Sequence, residues 1–307
     1  MRYFISHKQL LQLTDLTFQT IWSIRASISY VNYTFAQLME GTETTPRTAP
    51  SRIKKIGDAI SGFFLMLHRI YAFVLRFFKE VFLPPYEFKE VVRQCYETGV
   101  KSFTLITLTG FIIGVIFTKQ SRPSLTDFGA TSWLPSLVSI AIMKALAPLV
   151  TALIAAGKVG SSIGAELGSM RVTEQIDAME VSGTKPFKFL VCTRVIATTF
   201  TIPLLATYVA LIALFGGYLN IAQNEGTSYA TFIEQAFEPI TFVDIWASLA
   251  KAVVFGFTIG IVGCYQGYNS TKGTEGVGKA ANGAVVTAMF LVFIEEVLIV
   301  QIAGWFR

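Results

Sequence analysis

Four ionisable side chains lie inside long apolar runs, and they are the residues of this sequence with the clearest chemical potential. They are Lys144, Lys251, Glu295 and Glu296. A charge at membrane depth costs about 2.5–3.5 kcal/mol, so such a residue generally serves a transport pathway or an ion pair. Adjacent glutamates project about 100° apart on a helix and therefore cannot face the same partner. The sequence allows equally a role in handling a charged substrate and a structural role, in which Lys251 and one glutamate pair or extend to the membrane surface.

A glycine-rich run nearly spells a nucleotide-binding loop. Residues 273–280 read GTEGVGKA, which is close to the phosphate-binding pattern GxxxxGK followed by Ser or Thr. The hydroxyl that would hold Mg²⁺ is replaced by Ala280, and the run follows an apolar helix where the motif requires a buried strand. We interpret the run as a turn between helices and expect no nucleotide site in this chain.

Metal-binding and catalytic groups are scarce. The chain has three cysteines and two histidines, without a CxxC pair, so neither a disulfide framework nor a Cys/His zinc site is expected. No Ser/His/Asp arrangement or carboxylate pair with an aqueous pocket emerges from the sequence. We therefore predict no catalytic residue, no metal and no cofactor in this chain, and no enzymatic activity of its own.

The composition predicts what kind of elements must position these residues. Of the 307 residues, 52% are hydrophobic and 15% are charged, and the mean hydropathy is +0.55. A soluble domain carries about 25% charged residues, and a disordered chain needs low hydrophobicity. Both classes are excluded. The net charge of +5 is typical of lysine and arginine held on the cytoplasmic side of a membrane, so we expect no nucleic-acid partner.

Five apolar stretches are long enough to cross a membrane as helices. A bilayer core of about 30 Å takes roughly 20 apolar residues, and only a helix or a closed barrel satisfies its own backbone there. The stretches cover approximately residues 100–118, 133–157, 190–218, 245–266 and 281–304. We predict an all-α integral membrane protein with five transmembrane helices and its two termini on opposite sides of the membrane.

The distribution of basic residues predicts the orientation. Five Lys or Arg residues lie in segment 158–194 and two more in segment 267–280, whereas segment 219–244 has none. Because cytoplasmic loops carry an excess of positive charge, both basic loops and the N-terminus are expected in the cytoplasm.

Residues 1–50 form an N-terminal extension. Apolar side chains recur at steps of three and four from Ile21 to Leu38, and a Thr- and Pro-rich linker follows. The pattern is shorter than the roughly three to four heptads that identify a coiled coil, so it predicts an amphipathic helix at least as well.

Residues 51–98 differ from the spans that follow in residues 99–307. Three basic residues interrupt their apolar run at helical spacing: Arg69, Arg76 and Lys79. These charges favour an amphipathic helix lying in the lipid headgroup region. Pro84-Pro85 is expected to end it, and residues 87–99 then form a short amphipathic elbow that leads into the first span.

The segment between the second and third spans is too polar to cross the membrane. Its Val172, Ile176 and Met179 fall on one narrow stripe of a helix, with acidic residues on the flank. We predict a short amphipathic helix at the inner face of the membrane. Periodicity alone supports equally a surface helix packed on its own spans and a helix that docks a partner.

Four stretches together closely resemble the MlaE (YrbE) permeases of ABC-type phospholipid transport systems, which work with MCE-domain proteins. They are PPYEFKEVVRQCYETGVKS from residue 84, KALAPLVTALIAAG from 144, AGKVGSSIGAELGSMRVTEQIDAMEVSGTKPFKFLVCTRVIA from 156 and GYNSTKGTEGVGKAANGAVV from 267. The resemblance covers roughly residues 84–307, and its most specific part is AELGSMRVTEQIDAMEV.

The resemblance implies a homodimeric, multi-pass permease of the bacterial inner membrane, with a cytoplasmic N-terminus and a periplasmic C-terminus. It implies a separate cytoplasmic P-loop ATPase that binds ATP and Mg²⁺, a periplasmic MCE-domain protein and phospholipid as cargo. It leaves a small cytoplasmic accessory subunit open as a further partner. The function implied is movement of phospholipid between the inner and outer membranes.

The resemblance also implies roles for particular residues. On this view the run from Glu166 to Glu180 is a coupling helix. Its candidate contacts to the ATPase are Glu166, Arg171, Glu174, Gln175 and Asp177. The candidates for the lipid pathway are Lys144, Pro148, Lys251 and Glu295.

The second span departs from the family pattern. Related permeases often have R-E-L-G-P there, whereas this chain has Lys144-Ala145-Leu146-Ala147-Pro148 and so lacks the acidic group at Ala145. Lys251 stands where related permeases have a lysine in the fourth span, and it is expected to attract a lipid phosphate.

Two other classes of function are compatible with the residues themselves. An ion- or proton-coupled secondary transporter would use Lys144, Lys251 and Glu295 as a relay, although five unequal spans offer none of the inverted repeats typical of that class. A membrane-embedded enzyme would need a catalytic constellation. An activity that follows a proton gradient without any ATPase would identify the first, and covalent turnover of a lipid would identify the second.

Overall fold

The computed structural model describes residues 68–84, 86–271 and 273–305, and these residues are almost entirely helical, without a strand. The elements are helical residues 68–81 (α1), Phe88–Asp127 (α2), Thr131–Val172 (α3), Gln175–Val181 (α4), Phe187–Glu225 (α5), Tyr229–Phe237 (α6), Phe242–Tyr268 (α7) and Thr274–Trp305 (α8). The helix predicted in the N-terminal extension lies outside the described residues.

The prediction of five membrane-spanning helices in an all-α protein is confirmed. Helices α2, α3, α5, α7 and α8 are each long and apolar enough to cross a membrane. Each one extends beyond its predicted apolar stretch, because hydropathy marks only the part of a helix that must avoid water. The backbone hydrogen-bonding continues into the polar residues on either side.

Two predicted boundaries are wrong. The elbow is not a separate element, since α2 runs without interruption from Phe88 through Gly99 into the first span. Glycine at position 99 allows α2 to pass close to α5. A Cβ atom added there would lie only 2.8 Å from the methyl group of Thr201. Residues 274–280 do not form a turn either, because they are the first turns of α8 and only Gly273, at φ 98°, lies outside it.

Helix α1 packs against the bundle along one face. It ends at residue 81, three residues before Pro84, as the sequence predicts. Phe73 lies with its ring centroid 5.0 Å from that of Phe187 and 5.4 Å from that of Tyr265, which joins α1 to α5 and α7. The opposite face exposes Tyr71 and other large apolar side chains, which suits a helix at the membrane surface.

Helix α5 is the central element of the bundle. It lies between α2 and α7 and contributes to both hydrophobic clusters of the core. One cluster surrounds Phe187 and Phe255 near the α4 end, and the other surrounds Leu134 and Phe232 near the α6 end. The outer helices α2 and α8 expose most of their apolar surface, so they face lipid or another protein subunit.

Glycine allows α5 and α7 to approach closely. A Cβ atom added at Gly256 would lie 2.7 Å from the carbonyl oxygen of Thr198, which is a backbone atom and cannot move aside. Small residues at helix interfaces allow such close backbone contact in membranes, where dispersion and packing drive association.

Gly256→Ala should therefore lower the stability of the bundle, by about 1–3 kcal/mol if it behaves as other overpacked cores do. Thermal unfolding in detergent would measure the change. The matched control is Gly278→Ala in the first turns of α8, where an added Cβ meets nothing within 4 Å. Equal unfolding temperatures for the two variants would contradict the close α5–α7 contact.

Candidate functional site

Four side chains from three helices form a charged cluster inside the bundle. Lys144 Nζ of α3 lies 2.8 Å from Asp244 Oδ2 of α7, and Lys251 Nζ of α7 lies 2.6 Å from Glu296 Oε1 of α8. Lys251 Nζ also donates a hydrogen bond of 3.2 Å to the backbone carbonyl of Lys144. The two ion pairs are thereby joined, and we call Lys144, Asp244, Lys251 and Glu296 the charged cluster.

The start of α7 fixes Asp244. The N–H and hydroxyl of Thr241 both donate to Asp244 Oδ2, at 3.1 and 2.8 Å, and the Asp244 N–H donates to Thr241 Oγ1. This reciprocal capping box satisfies the first backbone groups of the helix. Lys251 follows Asp244 by seven residues, close to two helical turns, and therefore lies on the same face of α7.

Local helix geometry also places Lys144 and its carbonyl. Residues Ile142–Leu146 form a π-helical segment within α3, a widened turn that is frequent at functional sites. Pro148 follows this segment and has no N–H to donate to the carbonyl four residues earlier, which is that of Lys144. That carbonyl accepts from Lys251 Nζ instead. Pro148 is buried in α3 and contributes to the site through this backbone effect.

The adjacent glutamates of α8 have different partners, as their angular separation predicts. Glu296 pairs with Lys251, whereas Glu295 accepts a hydrogen bond from the hydroxyl of Thr258. For the second carboxylate oxygen of each glutamate, no hydrogen-bond partner lies among the described residues. The structural pair that the sequence allowed for Lys251 is therefore formed, and Glu295 lies beside it.

A cavity of about 700 Å³ lies against the charged cluster. Lys144, Asp244 and Lys251 supply its charged lining. The rest is mostly apolar and comes from α7 and α8, including Val243, Trp246, Ile299, Val300 and Ile302. Its volume falls in the range of about 300–1,000 Å³ that is typical of ligand sites. An amphipathic molecule fits this combination of a charged end and apolar walls.

Two members of the charged cluster, Asp244 and Glu296, were not among the residues predicted for the lipid pathway, although Glu296 was recognised as a charge in an apolar run. Asp244 carries a readable signal, because Thr241-Phe-Val-Asp244 is a capping-box pattern at the start of an apolar run. Glu296 could not be separated from Glu295 by position, since both belong to the same apolar helix. Of the predicted lipid-pathway residues, Lys144 and Lys251 line the cavity, whereas Pro148 and Glu295 do not.

The predicted coupling segment is two helices and not one. Helix α3 ends at Val172, Glu174 adopts a left-handed conformation with φ 57°, and α4 begins at Gln175. The expected stripe from Val172 to Met179 is therefore wrong, because the chain turns between these residues. Ile176, which is 1% exposed, anchors α4 in the core and Met179 packs beside it.

Ion pairs tie this region to the spans. Arg171, at the end of α3, pairs with Asp177 of α4 across the turn. Glu166 Oε1 lies 2.7 Å from Arg194 Nη2, and Arg194 is 2% exposed near the start of α5. Glu166 and Arg171 therefore connect α3 to its neighbours, although both keep part of their side chains accessible.

The remaining face of α4 is open. Five accessible residues on or next to this face are Glu174, Gln175, Asp177, Glu180 and Val181, which we call the α4 surface. Val181 is 90% exposed and was not among the predicted ATPase contacts, all of which are charged or polar. An acidic surface with one apolar side chain is suited to docking a protein partner.

Comparison with known proteins identifies the family. A family model described as Permease MlaE matches residues 91–302. A "Probable ABC transporter permease protein" of Rickettsia prowazekii is 40% identical, covering 71% of this chain and 85% of the relative. One of Synechocystis is 33% identical, covering 68% and 79%. "Protein TRIGALACTOSYLDIACYLGLYCEROL 1, chloroplastic" of Arabidopsis thaliana is 30% identical, covering 68% and 59%.

The match extends over all five spans and includes both the charged cluster and α4. The relatives' names assign them to transport and not to an enzyme class, and an ABC permease implies a partner ATPase. This chain is a multi-pass membrane protein that belongs to the MlaE family of ABC transporter permeases.

Proposed function

We propose that this chain is the permease subunit of a phospholipid transporter that moves lipid between the inner and outer membranes of a double-membraned bacterium. The observation that carries the proposal is the cavity of about 700 Å³ with apolar walls and two joined ion pairs. A phospholipid has the same division between apolar chains and a charged headgroup. The name of the Arabidopsis relative contains that of a diacylglycerol lipid with an uncharged galactosyl headgroup, so it supports a diacyl lipid as cargo but not the charge of the headgroup.

The charged cluster supports a specific part in lipid handling. The cluster has two cations and two carboxylates, and three of these groups, Lys144, Asp244 and Lys251, line the cavity, which therefore presents opposite charges a few ångströms apart. A zwitterionic or anionic headgroup could exchange partners with these pairs: its phosphate would take Lys144 or Lys251, and its ammonium would take a carboxylate. Lys144 and Asp244 are suited to such contacts because both line the cavity. In this proposal, Asp244 supplies the carboxylate that is absent at Ala145.

A conformational change driven by ATP would reach this chain through α4. We infer that a separate cytoplasmic ATPase docks on the α4 surface and binds the ATP and Mg²⁺ that this chain has no motif to hold. Helix α3 joins that surface to the cavity, since it runs from Thr131 past Lys144 to Val172. The ion pairs of Arg171 and Glu166 hold the docking end against α4 and α5. Movement of α4 would thus be transmitted along one helix to Lys144.

The assembly we propose is a homodimer in the inner membrane, with a periplasmic MCE-domain protein completing the lipid route. The exposed apolar face of α8, with Phe290 and Val297, suits a second subunit or acyl chains. The basic segment 158–194 supports a cytoplasmic position for α4 and the N-terminus and a periplasmic position for the C-terminus. A small cytoplasmic accessory subunit is a further candidate partner.

Purification of the tagged chain from its native membranes in mild detergent tests the proposal. Mass spectrometry of the co-purifying molecules should find a P-loop ATPase, an MCE-domain protein and bound phospholipid. Recovery of the chain without an ATPase, in a detergent that preserves another ABC transporter from the same membranes, would contradict ATP-driven transport. Recovery of the ATPase with a non-lipid solute would contradict the proposed cargo.

A further inference from the structure

A buried lysine lies at the junction of α1, α2 and α5 and belongs neither to the charged cluster nor to the α4 surface. Lys188 is 8% exposed, and for its Nζ no hydrogen-bond partner lies among the described residues. An ammonium group removed from water costs several kcal/mol unless it is paired and hydrogen-bonded. The proposed transport route uses neither this residue nor its neighbours, so the burial of this charge needs another explanation.

The immediate surroundings compensate the charge only in part. Lys188 Nζ lies 5.2 Å from the ring centroid of Tyr86, a cation–π geometry. Such a contact stabilises a cation but supplies no hydrogen-bond acceptor for its three N–H groups. Glu87 is exposed and lines both recesses beside Lys188, yet Lys188 Nζ has no hydrogen bond to it in the described part of the chain.

Two recesses meet at Lys188. One, of about 210 Å³, is lined by Glu87, Gly183, Thr184, Lys185 and Phe189. The other, of about 90 Å³, has a mostly apolar surface from Val81, Tyr86, Phe88, Val91, Cys192 and Ile196, and Glu87 and Thr193 also line it. Lys188 lines both recesses. A polar space beside an apolar one, with an unpartnered ammonium between them, matches the boundary between a lipid headgroup and its chains.

The fold holds Lys188 in this place. It lies in the π-helical segment Phe187–Cys192 that opens α5. Its neighbours Phe187 and Leu190 are fully buried in the core, so the backbone of the segment cannot rotate to carry the lysine into water. The N–H groups in the first turn of a helix favour negative charge, and Lys185 adds a second cation at the polar recess.

We propose that Lys188 binds the phosphate group of an anionic phospholipid from the leaflet that surrounds this end of the bundle. The phosphate oxygens accept hydrogen bonds from Lys188 Nζ and are attracted by the positive charge of Lys185. The first carbons of an acyl chain enter the apolar recess. This site goes beyond the proposed transport function, because it lies apart from the cavity of α7 and α8. It fastens α1 and α2 to α5 through a lipid.

Lipid-dependent stability tests the site without any ATPase or transport assay. The purified full chain, in phosphatidylcholine nanodiscs, is titrated with phosphatidylglycerol while its unfolding temperature is recorded. Lys188→Met should weaken the apparent affinity for phosphatidylglycerol by about tenfold or more, because a charge-assisted contact is lost. Lys188→Arg should keep most of it. The matched control is Lys279→Met, at an exposed lysine of α8.

Each alternative predicts a different result. If Lys188 only pairs with Glu87, then Glu87→Gln will lower the unfolding temperature as much as Lys188→Met, and phosphatidylglycerol will act equally on all variants, which overturns the proposal. Equal stabilisation of the wild type by inorganic phosphate in detergent would identify free phosphate and overturn the lipid assignment. If Lys188→Met does not fold, tighter phosphatidylglycerol binding by Glu87→Gln than by the wild type supports the site, because a carboxylate that lines both recesses is removed, and unchanged or weaker binding overturns it.

Discussion

Lys251→Met should lower the free energy of unfolding by about 3–5 kcal/mol, the usual cost of removing one partner from a buried ion pair. Lys251 and Glu296 are both largely buried, with side chains 5% and 14% exposed. The substitution leaves the Glu296 carboxylate without its cation and the Lys144 carbonyl without a donor. Thermal or denaturant unfolding in detergent would measure the loss, and co-purified phospholipid would decrease with it.

A second variant separates the stability of this pair from its part in transport. Lys251→Met combined with Glu296→Leu removes both charges, and replacing a buried pair with apolar residues is often neutral or stabilising. The double variant should therefore recover most of the stability and still retain little phospholipid. Lys119→Met, at an exposed position of α2, is the control for the change of side chain. Full lipid retention by the double variant would show that the cluster is structural only.

Charge reversal on the α4 surface should uncouple the permease from its ATPase. Glu174→Lys or Asp177→Lys should reduce recovery of the ATPase with the tagged chain by about tenfold or more and abolish stimulation of ATP hydrolysis, since complementary charge sets the docking of such surfaces. Folding should persist, because Asp177 loses only an exposed pair with Arg171, worth at most about 1 kcal/mol. Co-purification and ATPase assays would measure both effects.

The control for this prediction lies at the opposite end of the bundle. Glu238→Lys follows the short helix α6, is exposed and changes the net charge by the same amount. It should leave ATPase recovery unchanged. Unchanged recovery with Glu174→Lys and Asp177→Lys as well would place the ATPase elsewhere on the chain and contradict the role of the α4 surface.

Much of the architecture was predictable from the sequence. A helix in a bilayer must be apolar over about 20 residues, so hydropathy alone located the five spans and showed that segment 158–194 could not be one. Lys144 and Lys251 lie in apolar runs, where burying a charge costs free energy, and this indicated a role in an ion pair or a transport pathway. The resemblance to the MlaE permeases, which rests mainly on the residues from Ala165 to Val181, was confirmed by the family match.

The internal contacts of the site were decided only by the tertiary structure. Lys251 is 45 residues from Glu296 in sequence, and the choice of Glu296 over Glu295 depends on how α8 is rotated against α7. Apolar helices carry little amphipathic pattern from which such a rotation could be read. Each π-helical segment also adds a residue to a turn, so the phase extrapolated along α3 at 3.6 residues per turn no longer holds beyond Ile142–Leu146.

The same dependence on contacts between distant helices distinguishes Lys188 from Lys251. The sequence by itself placed Lys251 within an apolar run of membrane-spanning length, where a charge is costly. It placed Lys188 in a basic cytoplasmic loop, where a lysine is ordinarily solvated. Only the packing of Phe187 and Leu190 into the core, which depends on contacts with α1 and α7 far away in sequence, buries Lys188 and leaves its ammonium without a hydrogen-bond partner among the described residues. Burial of a polar residue is a property of its distant neighbours, and a local pattern cannot report it.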